Sequence, residues 1–207
     1  MRASFVWSIV ALNAAVFVLW LALGETPFML DNFLVSWRAL QEGRYWTLLT
    51  AAFSHIQVWH LVFNMLVLTS FGPPVEKTIG SRRFLSFYLV AAVVSSLSHG
   101  AVSAFILHQP DLPALGASGA ISGVVVVFAL LYPRAKIALL GIIPLPALLG
   151  AALFVGIDIV GVVAQSEGGG LPIGHGAHLG GALTGALYYF LAIRPQRTRA
   201  GGRSGDI

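Results

Sequence analysis

Six apolar runs, near residues 5–23, 58–72, 84–107, 117–132, 138–164 and 177–193, recur along this chain with Asp158 as the one clear acid inside them. Most approach the length needed to cross about 30 Å of hydrocarbon at about 1.5 Å per residue. In lipid every backbone amide must find its partner within the protein, so each run predicts a helix. The expected fold is therefore an all-α integral membrane protein, a six-transmembrane helix bundle formed by residues 1–194, followed by a polar, disordered cytoplasmic tail over 195–207. Arg2 ahead of the first run and Ala22-Leu23-Gly24 behind it resemble a signal peptide. The 19-residue stretch is longer than a usual signal core, so it is read as a span.

Charge supports the same reading. Only 10% of the 207 residues are charged, and ten of the twelve Lys and Arg stand at alternate ends of the runs: Arg2; Lys77, Arg82 and Arg83; Arg134 and Lys136; Arg194, Arg197, Arg199 and Arg203. By the positive-inside rule both termini are cytoplasmic and the acidic loops face outward. The net charge of +4 thus reports topology and the lipid bilayer, not nucleic acid. A compact chain of this kind with no transit peptide predicts a bacterial cytoplasmic (cell) membrane. With no cysteine, disulfides, thiolate zinc sites and cysteine nucleophiles are excluded, leaving covalent chemistry to Ser, Thr or Lys.

Two outer segments are unusual. Between Glu25 and Gln57, Phe28, Phe33, Leu34, Trp37 and Leu40 recur at roughly helical spacing, which fits either an interfacial hairpin partly embedded in the membrane or a loop with aromatic anchors. Gly168, Gly169, Gly170, Gly174 and Gly176 fit a flexible connection or a lid.

The fourth run opens Gly116-Ala117-Ser118-Gly119-Ala120-Ile121-Ser122-Gly123 and spans only about 24 Å as a helix. Because Tyr132, Pro133 and Arg134 anchor its inner end, the deficit falls outside. Ser118 therefore sits below the outer surface, after a non-helical Asp111–Gly116 segment that needs protein or water around it. There the free amides and positive end of the helix favour a developing anion. His178 lies one turn inside the sixth run, at a similar depth. Gly181, Ala182 and Gly185 on one helix, and Gly119, Ser122 and Gly123 on the other, offer smooth faces for close packing. Such packing could bring the Ser118 hydroxyl to an imidazole nitrogen, the contact that activates a serine; equally, the small residues could serve packing alone. His60 and Asn64, four apart in the second run, share a face in the outer half of the bilayer, where two polar side chains are costly without a purpose. Together they could stabilise an oxyanion.

Read in order, His60-x-x-x-Asn64, Gly116-Ala117-Ser118-Gly119 and Ala177-His178-Leu179-Gly180-Gly181 resemble the motifs of the rhomboid family of intramembrane serine proteases over nearly all six spans. The resemblance implies a serine endopeptidase cutting in or near transmembrane segments of other membrane proteins. Ser118 would be the nucleophile and His178 the general base and acid, a dyad without a third member. His60, Asn64 and the Ser118 backbone N–H would form the oxyanion hole, with no cofactor and no metal. One departure is Trp46-Thr47 where many members have Trp-Arg, with Arg44 earlier, which concerns how the first loop is anchored.

Three other readings compete on the residues. Asp158 could orient His178 as a third member, but its position near the middle of the fifth run reads as deeper than His178 and as packing. His175 is assigned no role. A zinc enzyme or transporter is disfavoured because no His-Glu-x-x-His occurs and no acid stands at ligand spacing beside a pair of histidines. A rhomboid-like scaffold or chaperone would use the same bundle without needing both Ser118 and His178.

Overall fold

In the computed structural model, which describes residues 4–139 and 143–196, the chain is mostly helical. Helix α1 (Phe5–Leu23) is followed by three short helices, α2 (Pro27–Phe33), α3 (Trp37–Gln41) and α4 (Thr47–Thr50), and a 3-10 turn, Ala51–Phe53. Helices α5 (Val58–Ile79), α6 (Ser81–Phe105) and α7 (Ser118–Leu131) come next. An antiparallel pair, β1 (Lys136–Leu139) with β2 (Ile143–Pro146), leads into α8 (Ala147–Ser166) and α9 (His175–Tyr188), which a π-helical turn, Tyr189–Ile193, extends. Five helices are long and apolar enough to cross a membrane, α1, α5, α6, α8 and the α9 extension, while α7 is a shorter apolar helix.

Two boundaries differ from the hydropathy reading. The fifth run was expected to be helical from 138, but its first part pairs as strands and the helix starts only at Ala147. Pro144 and Pro146 lack the amide donors a helix interior needs. The second helix, by contrast, runs through Pro73 and Pro74 to Ile79. The extension carries Glu76, whose carboxylate accepts hydrogen bonds from the Ser4 hydroxyl (2.6 Å) and the Phe5 and Val6 amides (2.9 and 3.2 Å). Those amides open α1 and have no partner within it, so a side chain from another helix caps the positive end of its dipole.

Helix α7 is the axis of the bundle. Nine of its fourteen residues are buried, among them Val124 and Val127, and α5, α6, α8 and α9 all pack against it. Enclosure by protein explains how a helix of only about 21 Å can sit here, since its ends need not reach lipid headgroups. The outer helices turn Val18, Leu21, Val62, Phe63 and Val160 outward, an apolar surface that suits lipid.

The expected tail over 195–207 lies, from residue 197 on, outside the described residues. The first long segment is no plain loop but carries the short helices α2, α3 and α4. Trp37 meets the ring of Phe105 edge-on at 4.9 Å, and a Cβ on Gly100 would touch Trp37, so α3 lies directly on α6. Arg44 ties the segment together, bridging Asp31 and Glu42 at 2.7 and 2.6 Å, while the Thr47 hydroxyl donates to the Arg44 carbonyl. Arg44 thus supplies the anchor left open by Thr47.

Candidate active site

The segment before Ser118 is not helical, and each of its turns is held from outside. The Arg38 amide donates to the Pro110 carbonyl, and its guanidinium meets Asp111 at 3.1 Å. The His99 ring nitrogen Nε2 donates to the Leu112 carbonyl at 3.0 Å. Val35 and Ala114 exchange two backbone hydrogen bonds, and the Gly116 amide donates to the Ala51 carbonyl at 2.8 Å. The short helices of the first loop therefore act as a jig for this strand-like approach. Gly116 itself has a φ of +120° and lies under the His60 ring; a Cβ there would come within 2.7 Å of His60 Cε1. Only glycine tolerates both demands.

The opening of α7 then meets α9 backbone to backbone. A Cβ on Gly181 would collide with the Gly119 carbonyl, one on Gly185 with the Gly123 carbonyl, and one on Gly123 would come within 2.8 Å of the Gly181 carbonyl. The smooth faces expected from the small residues are in contact along this seam. As a result His178, 9% exposed, reaches across: its Nε2 stands 2.9 Å from the Ser118 hydroxyl oxygen. Ser118 is only partly buried.

Beyond the imidazole the structure places an acid that the dyad reading set aside as packing. Asp158 Oδ1 lies 3.0 Å from His178 Nδ1 and 2.6 Å from His175 Nδ1, with Asp158 only 2% exposed. Both rings donate to one carboxylate oxygen. With Nδ1 carrying the proton, His178 presents an unprotonated Nε2 to Ser118, the tautomer that can take a proton from the hydroxyl. Asp158 is thus level with His178, not deeper. The reason is the loop after α8. His175 opens α9 beside Gly161, whose Cβ would collide with the His175 ring, so α8 runs on for five residues past the start of α9. Gln165 holds the returning chain by donating to the Leu171 and Ile173 carbonyls at 2.8 and 2.9 Å. Depth counted from each helix end is therefore misleading by about 7.5 Å. The objection that no acid stands beside two histidines also falls, because Asp158, His175 and His178 form such a group across 17 and 20 residues of sequence.

On the facing side, the His60 ring overlies Gly116, two residues before the serine, and the Asn64 side-chain amide donates one turn back to the His60 carbonyl at 2.9 Å. The Ser118 amide stands in the first turn of α7, where helical N–H groups have no partner within the helix. Ser118 and His178 thus meet directly and His60 lies over the approach to them, whereas the recorded bond of Asn64 stays within α5. His55, just ahead of α5, was not singled out. It is fully buried and meets His60 edge-on at 4.8 Å, and burial, aided by the nearby His60, pushes its pKa down to about 3. It stays neutral and backs the His60 ring without adding charge.

With this geometry in hand, the comparisons add independent findings. The family model described as "Rhomboid domain" matches residues 42–195. The chain is 36% identical over 206 residues to RHOMBOID-like protein 12, mitochondrial, of Arabidopsis thaliana, covering 94% of this chain and 60% of that protein. It is 35% identical over 212 residues to Rhomboid protein 1, mitochondrial, of Saccharomyces cerevisiae, covering 95% and 56%. A shorter match, 42% over 84 residues, is to Rhomboid protease GluP of Bacillus subtilis, covering 41% of this chain and 15% of that protein. The chain thus spans less than two thirds of the length of these relatives. The cell-membrane location expected from the sequence is overturned here, because the relatives that match along most of the chain are named as mitochondrial proteins.

Proposed function

The chain belongs to the rhomboid family, and from that premise we propose that it is an intramembrane serine endopeptidase acting on transmembrane segments of other membrane proteins. By the names of the relatives that match along most of it, its membrane is a mitochondrial one. What supports the activity is one contact, the 2.9 Å hydrogen bond between Ser118 and His178, two residues sixty apart in sequence and carried on different helices. Packing alone gives no reason for it.

The reaction runs in two halves. As Oγ of Ser118 attacks the scissile carbonyl carbon, its proton passes to Nε2 of His178 and the carbonyl electron pair moves onto oxygen. That oxyanion is met by the Ser118 backbone N–H, with His60 and Asn64 as side-chain donors from α5; each such donor typically contributes about 3 kcal/mol to the transition state. His178, now an imidazolium, holds its Nδ1 proton toward Asp158, whose negative charge stabilises it. The tetrahedral centre collapses, the carbon–nitrogen bond breaks, and His178 returns the proton to the leaving amine. Water then attacks the acyl-enzyme by the same route in reverse.

Labelling of the detergent-solubilised protein with a fluorophosphonate, followed by peptide mapping, tests this. The expected result is a single adduct on Ser118, absent in Ser118→Ala and His178→Ala, both of which stay folded. Cleavage of a transmembrane substrate that survives Ser118→Ala would overturn the reading and favour a scaffold that carries a contaminating protease.

A further inference from the structure

The group formed by Asp158, His175 and His178 has more polar capacity than the serine reaction uses. All three are buried, at 2%, 4% and 9% exposure, and their potential ligand atoms lie within 4.8 Å of one another. Both histidines point Nδ1 at the same carboxylate oxygen, while Asp158 Oδ2 is buried without a hydrogen-bond partner. An unpartnered buried carboxylate oxygen is costly. A cation held by both carboxylate oxygens would remove that cost.

We infer that Asp158, His175 and His178 form an inhibitory site for a divalent transition-metal ion, with zinc as the best fit. This deepens the serine protease reading and rests on it. Two neutral imidazoles and one carboxylate are a known kind of zinc ligand set, with a fourth position left for water. Zinc bonds of about 2.0–2.2 Å in a tetrahedron separate ligand atoms by roughly 3.3 Å. The present 2.6 and 3.0 Å separations need only a small opening of the cluster.

The inhibition follows from tautomer chemistry. In the metal-free site the His178 proton is on Nδ1 and the Nε2 lone pair faces Ser118. A metal ion binds through the lone pair of Nδ1, so the Nδ1 proton must leave that nitrogen, and the imidazole, remaining neutral, carries its single proton on Nε2 instead. No proton is gained or lost overall, but Nε2 becomes a donor and cannot accept the serine proton. Zinc would silence the nucleophile without touching it. His175 binds the metal but has no part in the serine reaction.

The test uses the full chain in detergent, stripped with a chelator and titrated with Zn²⁺. Cleavage of a transmembrane substrate is followed, with Co²⁺ absorption as a separate report of tetrahedral binding. We expect Zn²⁺ to suppress cleavage at least about tenfold and chelator to restore it, with His175→Gln raising the half-inhibiting concentration by about ten- to a hundredfold while still cleaving without metal. Gly161→Ala, which pushes the His175 ring aside, should act in the same direction if His175→Gln does not fold. The inference is overturned by undiminished cleavage with no Co²⁺ spectrum, by inhibition that His175→Gln leaves unchanged, or by loss of cleavage on chelation. Should the stripped protein neither cleave nor react with a fluorophosphonate, the protease reading fails. The metal site would then still be decided by the Co²⁺ spectrum and its loss in Asp158→Asn.

Discussion

Two of the helices packed on α9, α7 and α8, hold it in different ways. Against α7 it packs through glycine, with Gly119, Gly123, Gly181 and Gly185 bringing carbonyls and Cα atoms of the two helices into direct contact. Against α8 it meets mostly side chains, the His175 ring on Gly161 and the Phe154 ring 5.4 Å from His178. Helix α8 buries only Ala147, Gly150, Ala151 and Asp158, and shows Ile157, Val160 and Val163 on its outer surface. Helix α9 buries seven residues. A backbone seam admits no rotamer freedom, whereas a helix held by a few side chains can shift by fractions of an ångström. The serine–imidazole distance is thus set by the rigid seam, and the carboxylate is delivered by the looser helix.

Ser118→Ala should cost the most, on the order of a millionfold in cleavage rate, because the nucleophile acts as one unit with its base. Asp158→Asn is the sharper probe of the comparison. It presents the wrong tautomer to Ser118 if α8 is held firmly, a loss of up to about ten-thousandfold in kcat with KM little changed and an altered pH profile. A loss below about tenfold would mean that α8 moves away and lets His178 adapt. On the rigid side, Gly181→Ala forces a Cβ into the Gly119 carbonyl. Widening the seam should lower the rate by about a hundredfold and the unfolding free energy by about 1–3 kcal/mol, read from cleavage and from thermal unfolding in detergent. A fully active Gly181→Ala protein would break the contrast.

The smallest effect lies away from both seams. His55 is held near pKa 3 in the folded protein against an ordinary 6.5, so between those values the unfolded chain binds a proton that the folded one refuses. Its contribution is complete above pH 6.5 and is lost as pH falls toward 3. Thermal unfolding measured across that window should show a shallower acid-side decline in His55→Phe than in the unsubstituted protein. An identical slope would assign the acid sensitivity elsewhere.

Most of the site could be read from local pattern. Gly116 through Gly123 announce close packing and a first-turn nucleophile, and His60 with Asn64 needs only the helical period. Span limits were legible except where proline chemistry intervened, as at Pro144 and Pro146, which delay α8, or at Pro73 and Pro74, which α5 absorbs. The burial of His55 was not legible, because nothing in its neighbours signals it.

Hydropathy and residue order alone determined a helical membrane bundle, its short fourth helix and the residues able to form a serine–histidine pair, because these depend on periodicity and on what lipid forbids. Tertiary structure alone decided that Asp158 meets His178. That contact depends on the level at which one helix starts beside another, which the folded-back loop between α8 and α9 sets. Hydropathy measures how long a helix is; only packing sets its height against its neighbour.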